Sequence, residues 1–185
     1  MDKDKEKKIS KQLSYWLRHH PEDIGISIAK NGWVDVKELL EKSKSKLLFD
    51  FNELKSVVQN NDKQRFSFNE DFCLIKANQG HTTDVEIKFD EVVPPAILYH
   101  GTSVGFVDLI MKEGLKKMSR HHCHLSKDIE TSKKVANRRG GENVILRVEA
   151  MRMRADGYKI YISDNGVYLV DEVPLKYISV LEVYK

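Results

Sequence analysis

The sequence predicts an α+β fold in two parts, a first half rich in helices and a second half rich in strands. Up to Asn60, apolar residues recur every three or four positions, as they do in amphipathic helices. After residue 96, alternating apolar residues become commoner, as they do in strands. An acidic, proline-containing join covers 90–95, so we expect domains at 1–90 and 91–185. The glycine spacings of doubly wound dinucleotide-binding folds do not occur.

The first predicted helix ends near Pro21, because a proline inside a helix removes a hydrogen bond. At about 100° per residue, one stripe of this helix comprises Leu13, Trp16, Leu17 and His20. Arg18 and His19 point away from that stripe, and residues 1–11 form a charged, lysine-rich leader. Two such side chains at a helix end can hold an anion and move a proton. A pair of this kind alone is more often a solvated helix end.

Two further helices and a hairpin complete the first half. Asp35 and Asp50 are predicted N-caps of short helices, the second of which ends at Asn60–Asp62. Residues 65–68 and 72–76 are predicted to pair across a polar turn, with Arg65 on the face opposite Phe66 and Phe68. Helices followed by a hairpin are typical of a winged helix, a common nucleic-acid-binding shape, although other small α+β modules share this order.

The second half begins with a strand at 97–100 that runs into Gly101, Thr102 and Ser103. These residues are predicted to cap a helix that ends at Gly114. At such a junction a glycine lets a ligand approach the backbone, and helix-start amides favour phosphate oxygens. An ordinary turn glycine beside a capping threonine is the plainer interpretation.

Later elements carry the remaining candidates. Strands are predicted at 123–125, 144–148, 167–170 and 177–183, with a helix starting near Asp128. His122 and His124 share a strand face, which makes zinc conceivable, but no second Cys/His pair follows at zinc-finger spacing, so we expect no metal. Arg138 and Arg139 precede a Gly-Gly turn, where arginines also suit an ordinary helix C-terminus.

The composition limits the classes of partner that the protein could bind. The net charge of +3 and pI near 8.7 permit a polyanionic partner without requiring one. No secretory signal and no apolar run of membrane-spanning length occur, and the chain has only two cysteines. We therefore expect a cytoplasmic protein without a membrane anchor, and we take a monomer as the default because the sequence carries no signal of oligomeric state.

Taken together, six motifs in this order resemble the NAD-dependent RNA 2′-phosphotransferases. They are Leu13–Pro21, Lys63–Phe66, Ile75–Thr82, Leu98–Thr102, His124–Ser126 and Val135–Gly140. The resemblance extends from about residue 9 to residue 183. It implies an N-terminal winged-helix RNA lobe and a C-terminal, ADP-ribosyltransferase-like, β-rich lobe that binds NAD. Its expected partners are NAD, consumed as co-substrate, and an RNA carrying a 2′-phosphate of the kind left at a tRNA splice junction.

The resemblance also implies roles for particular residues. Its catalytic set falls on Arg18, His19, Arg65 and Arg138. Its NAD-binding motifs fall on His100, Gly101, Thr102, His124 and Ser126. The implied reaction has two steps. The RNA 2′-phosphate displaces nicotinamide from C1″ of the ribose, and the ribose 2″-OH then attacks phosphorus, releasing 2′-OH RNA and ADP-ribose 1″,2″-cyclic phosphate.

Departures from the family pattern leave alternatives open. A one-residue slip would make Arg139 the catalytic arginine, although the spacing from Val135 and Gly140 favours Arg138. Thr82 stands where the family usually has serine, and Val167 stands where many ADP-ribosyltransferases have glutamate. Two other functions stay open: an ADP-ribosyltransferase that acts on nucleic-acid phosphates or protein and stops after the first step, and a non-catalytic winged-helix RNA binder.

Overall fold

A computed structural model describes residues 2–61 and 63–185. In it the chain divides into two compact units, and the boundary in the sequence falls between Lys88 and Phe89. The side chain of Arg139 also lies outside the description. Helices and antiparallel sheets occur together, which confirms the α+β class. Asp90 and Glu91, placed by sequence in the join, form a strand that pairs with Tyr161–Ile162 in the second unit.

The elements follow in chain order. The α-helices are α1 (Lys3–Arg18), α2 (Val36–Ser43), α3 (Phe51–Gln59), α4 (Val107–Glu113), α5 (Ile129–Ala136) and α6 (Ala150–Ala155). The strands are β1 (Trp33–Asp35), β2 (Phe66–Phe68), β3 (Leu74–Ala77), β4 (Asp90–Glu91), β5 (Leu98–Ser103), β6 (Leu115–Lys116), β7 (Cys123–Leu125), β8 (Asn143–Val148), β9 (Tyr161–Ile162), β10 (Tyr168–Val170), β11 (Glu172–Val173) and β12 (Ile178–Tyr184). Short 3-10 helices cover Pro21–Asp23, Val104–Phe106, Asn137–Arg139 and Leu175–Tyr177.

Helix α1 is longer than predicted, because it begins at Lys3 and absorbs the supposed leader. Its buried stripe comprises Ile9, Leu13, Trp16 and Leu17. The placement of His20 on that stripe was wrong, since the helix ends at Arg18 and His20 is exposed beyond it. Among the described residues, no helix combines the length and apolar character needed to cross a membrane.

Short side-chain caps define the other helices of the first unit, as predicted. The Asp35 carboxylate accepts from the Glu38 amide at 2.8 Å, and Asp50 forms a reciprocal capping box with Glu53. Strands β2 and β3 pair antiparallel, which confirms the hairpin. Strand β1, which the sequence did not predict, adds to the other edge of β3. The helices and this sheet enclose one apolar core.

The second unit is organised around β8, the central strand of a β12–β8–β5 sheet. Val144, Leu146 and Val148 face an apolar core on one side of the sheet. Helix α5 packs against β5 and β8, and the Asp128 carboxylate caps it by accepting from the Thr131 amide at 2.7 Å. Separate antiparallel sheets have the orders β4–β9–β10–β7 and β11–β6.

The predicted strand-to-helix junction at Gly101 was wrong. Strand β5 continues through Ser103 and pairs with β8 along its whole length, with Gly101 opposite Ile145. A Cβ on Gly101 would lie 2.1 Å from the Ser132 carbonyl oxygen of α5. This glycine therefore permits close helix-on-strand packing. The next α-helix begins only at Val107, beyond a 3-10 turn, and ends at Gly114 as predicted.

Candidate active site

Arg18 and Arg65 come together in the first unit, although 47 positions separate them. Arg18 is the last residue of α1, and its Nη2 donates to the Arg65 carbonyl oxygen at 3.5 Å. Its guanidinium carbon lies 5.9 Å from the centre of the Phe66 ring. Gly80 lies against this guanidinium in a positive-φ conformation; a Cβ there would make only ordinary contact with Arg18 Nη1, at 3.6 Å, so the backbone conformation and not the space favours glycine. The fold thus places two arginines at one end of β2.

The segment leading into β2 is held by two asparagines. Asn61 Oδ1 accepts from the Arg65 amide at 3.4 Å and from Arg65 Nη1 at 3.3 Å. Asn78, which is buried, donates from its amide nitrogen to the Arg65 carbonyl at 2.9 Å and from Nδ2 to the Gln64 carbonyl at 2.6 Å. Sequence reasoning treated Asn61 only as a chain breaker and did not select Asn78. The contacts of Asn78 cross the β2–β3 hairpin, and such contacts leave no pattern in the local sequence.

His19 lies immediately after α1 and is positioned by Thr82. Its Nδ1 is 3.0 Å from Thr82 Oγ1, while the Thr82 amide donates to the Arg18 carbonyl at 2.9 Å. The Thr82 hydroxyl lies within 3.4 Å of that same carbonyl, to which it can donate. A hydroxyl that donates to the carbonyl accepts from Nδ1–H, which makes Nε2 the acceptor nitrogen of the neutral ring. The Thr82 hydroxyl, a group that serine also has, therefore positions the His19 ring.

Binding of an anion at the C-terminal end of α1 requires cationic side chains. The C-terminus of a helix carries partial negative charge, which opposes an anion and favours arginine. Arginine stays cationic at all ordinary pH values and can donate two parallel hydrogen bonds to one phosphate. Arg18, Arg65 and His19 together can therefore hold a phosphate and exchange a proton beside it.

In the second unit, a hydrogen bond joins the two predicted NAD-binding histidines. His100 Nδ1 lies 2.9 Å from the His124 carbonyl oxygen, which can only accept, so Nδ1 carries the hydrogen. Burial lowers the pKa of His100, more than its bond to the carbonyl raises it, and nearby Arg120 lowers it further. The neutral ring therefore presents Nε2 as an acceptor. Arg120 Nη1 lies 3.2 Å from His124 Nδ1, so His124 Nε2 carries that ring's hydrogen.

The other three predicted NAD-binding residues lie on or beside the same strand. Thr102 shares a face of β5 with His100, since the two are separated by one position. Gly101 occupies the opposite face, against α5. Ser126 pairs with Tyr99 of β5 through two backbone hydrogen bonds of 2.8 and 2.9 Å. The contacts of β5 thus gather the motif residues within one unit.

Arg138 is exposed in the 3-10 turn that follows α5. The loop after it is anchored by buried Asn143, whose Nδ2 donates to Asn137 Oδ1 and to the Gly141 carbonyl, both at 3.2 Å. Sequence reasoning did not select Asn143. The alternative catalytic arginine, Arg139, has its side chain outside the described part of the structure.

The histidines around Cys123 do not form a metal site among the described residues, where no three His, Cys, Asp or Glu side chains cluster suitably. His122 instead packs between the Phe89 and Tyr161 rings, with centroid distances of 5.6 and 6.0 Å. Burial raises the pKa of the Cys123 thiol to about 12, so this thiol is protonated near neutrality. A protonated, buried thiol is a poor nucleophile.

Comparison with known proteins identifies the family. The model of the family described as RNA 2′-phosphotransferase, Tpt1/KptA family, matches residues 4–172. The chain belongs to this family. A Fusobacterium nucleatum relative named "Probable RNA 2′-phosphotransferase" is 50% identical over 177 residues, covering 95% of this chain and 99% of the relative. Relatives of the same name from Flavobacterium johnsoniae and Trichormus variabilis are 53% and 50% identical, covering 94% and 98% of this chain and 95% and 100% of their own.

The family match covers the candidate catalytic residues of both units. The match to the RNA 2′-phosphotransferase family runs through both units, so it includes Arg18, His19 and Arg65 as well as Arg138. The predicted family membership is therefore confirmed.

Proposed function

We propose that this protein removes an internal 2′-phosphate from RNA by transferring it to NAD. The observation that carries the proposal is the assembly of Arg18, Arg65 and His19 in one unit of a chain that belongs to the RNA 2′-phosphotransferase family. The first unit, with its helices and hairpin, would be the winged-helix RNA lobe, and the second the ADP-ribosyltransferase-like lobe that holds NAD.

The proposed reaction suits these residue types. A bond forms between a 2′-phosphate oxygen and C1″ of the NAD ribose as nicotinamide leaves. The ribose 2″-OH then attacks phosphorus, and the RNA 2′-oxygen leaves with a proton. The first step needs a bound phosphate dianion as nucleophile, and the second concentrates negative charge on the oxygens of a pentacoordinate phosphorus. Each hydrogen bond to a charged group is worth about 1.5–3 kcal/mol. Arg18, Arg65 and Arg138 could together supply several kcal/mol.

His19 would position the phosphate and exchange the second-step proton. An imidazole titrates near neutrality, so it can take a proton from a hydroxyl and return it to a leaving oxygen. Thr82 engages Nδ1, so the proton would be exchanged at Nε2. The proton role therefore depends on the ring orientation that Thr82 supports.

NAD would be held by His100, Gly101, Thr102, His124 and Ser126. The neutral His100 ring offers an acceptor and the His124 ring a donor, which fits the hydroxyls of a ribose. Gly101 would contribute only its backbone, since the position of its absent side chain is closed off by α5. Val167 would leave the 2″-OH of the substrate unclamped, and so free to react in the second step.

The test is incubation with NAD and a short RNA bearing one internal 2′-phosphate, followed by chromatography of the products. Release of ADP-ribose 1″,2″-cyclic phosphate with 2′-OH RNA supports the proposal. Accumulated ADP-ribosylated RNA would instead indicate a transferase that stops after the first step, and unconsumed NAD would exclude both. Arg138→Ala and Arg139→Ala, assayed side by side, decide which arginine acts. We expect Arg138→Ala to lose activity by a factor of about 100 or more, and Arg139→Ala to keep it.

A further inference from the structure

The outer face of α1 carries a row of basic residues that leads to Arg18. Lys7, Lys8, Lys11 and Tyr15 are all exposed on the side of α1 opposite its buried stripe. At about 100° per residue, Lys11 and Tyr15 lie within about 60° of Arg18 around the axis. Because α1 is one continuous helix from Lys3 to Arg18, these lysines and the candidate phosphate site belong to a single rigid element.

We propose that this outer face of α1 binds the single-stranded RNA that flanks the 2′-phosphate. The proposal rests on the proposed function and specifies how the substrate is held. Lys7 to Arg18 spans about 16 Å at 1.5 Å per residue, the length of about five stacked nucleotides. A strand whose 2′-phosphate is at Arg18 can therefore pass all three lysines.

The charge of this face suits a polyanion. Among the described residues, Lys7, Lys8 and Lys11 form no ion pair, whereas Lys5, on another side of α1, pairs with Glu53 at 2.5 Å. Free lysines release counterions when they meet phosphates, which makes them effective contacts to a nucleic-acid backbone. The acidic exceptions are Asp4, at the far end of the face, and Glu22, which pairs with His20 at 2.9 Å.

An aromatic pair lies where this row meets the candidate phosphate site. The Tyr15 and His20 rings are 4.6 Å apart between centroids and tilted by 33°, and the Tyr15 carbonyl accepts the His19 and His20 amides. The Tyr15 residue is 42% exposed and the His20 side chain 49%. Exposed rings beside a basic row are the usual platform for an unstacked base, which favours a single strand over a duplex. The pair would thus stack on a base next to the modified nucleotide.

Binding measurements with two lengths of RNA test the proposal. Fluorescence anisotropy would follow a trinucleotide and a dodecamer, each with one central 2′-phosphate, over a range of salt concentrations. The triple variant Lys7→Ala, Lys8→Ala, Lys11→Ala should lower the salt slope for the dodecamer by about two, at about 0.7 per lysine. Trinucleotide binding should change little. The matched control replaces exposed Lys30, Lys112 and Lys185 by alanine, removing the same charge elsewhere, and should keep the wild-type slope.

The aromatic pair has its own control. Tyr15→Leu should weaken dodecamer binding about fivefold or more, whereas Tyr15→Phe, which keeps the ring, should bind as the wild type does. Equal slopes in the two triple variants, or wild-type binding by Tyr15→Leu, would overturn the proposal. Dephosphorylation of the trinucleotide reports on the proposed function separately. A wild-type protein that binds RNA along α1 but leaves the phosphate in place would fail only that function.

Discussion

Replacing Gly101 by alanine inserts a methyl group between β5 and α5. The methyl carbon would lie 2.1 Å from the Ser132 carbonyl oxygen, 2.9 Å from its carbonyl carbon and 3.1 Å from Ala136 Cβ. Ordinary contact begins at 3.4 Å, so the helix must retreat by about 1.3 Å. Overpacking of this kind costs about 1–3 kcal/mol, and we expect the upper end because backbone atoms cannot rotate away.

Thermal denaturation without NAD measures this cost apart from any effect on ligand binding. For a unit of this size, about 3 kcal/mol lowers Tm by about 12–24 °C. The control is Gly105→Ala, because a Cβ at Gly105 meets nothing within 4 Å, and it should change the free energy of unfolding by less than about 1 kcal/mol. Equal melting temperatures for the two variants would refute the conclusion that Gly101 is required for packing.

Three other outcomes are expected. Thr82→Val should lower kcat about 2- to 12-fold by removing the hydroxyl that positions His19, whereas Thr82→Ser should keep it; equal rates would contradict this role. Burial lowers the pKa of His100, so its neutral ring contributes stability above about pH 6.5 that is lost as pH falls further. His100→Gln should therefore lose less Tm than the wild type between about pH 7.5 and about pH 5.5, and an equal loss in both would count against this cause. Val167→Glu should slow release of the cyclic phosphate, and an unchanged rate in product chromatography would refute the view that an unclamped 2″-OH matters.

Local signals in the sequence predicted those parts of the fold that local physics determines. Asp35 and Asp50 cap the helices they were expected to cap, since a cap needs only a side chain three residues from its partner. Strands β2 and β8 followed from alternation alone. The arginine and histidine at the end of α1 could be selected as candidates, but only the family pattern linked them to Arg65.

Long-range packing accounts for what the sequence did not predict. Gly101 looks like a turn glycine, and only the approach of α5, some thirty residues later, shows why it lies inside a strand. The lysines before Ile9 read as a leader because their apolar neighbours are sparse, yet Ile9 is fully buried and continues the helix. Asn78 bonds to the Gln64 carbonyl from fourteen positions along the chain, and such a contact leaves no periodic signal. The bonds of Asn61 to Arg65 span only four positions, but they form no helical or strand pattern.

The stoichiometry of the reaction tests the central claim most directly. The wild-type protein, NAD and an RNA with one internal 2′-phosphate would be followed in a single time course of nicotinamide, cyclic phosphate and 2′-OH RNA. We predict one nicotinamide and one ADP-ribose 1″,2″-cyclic phosphate for each 2′-OH RNA formed. Removal of the phosphate as inorganic phosphate, or without release of nicotinamide, would contradict transfer to NAD.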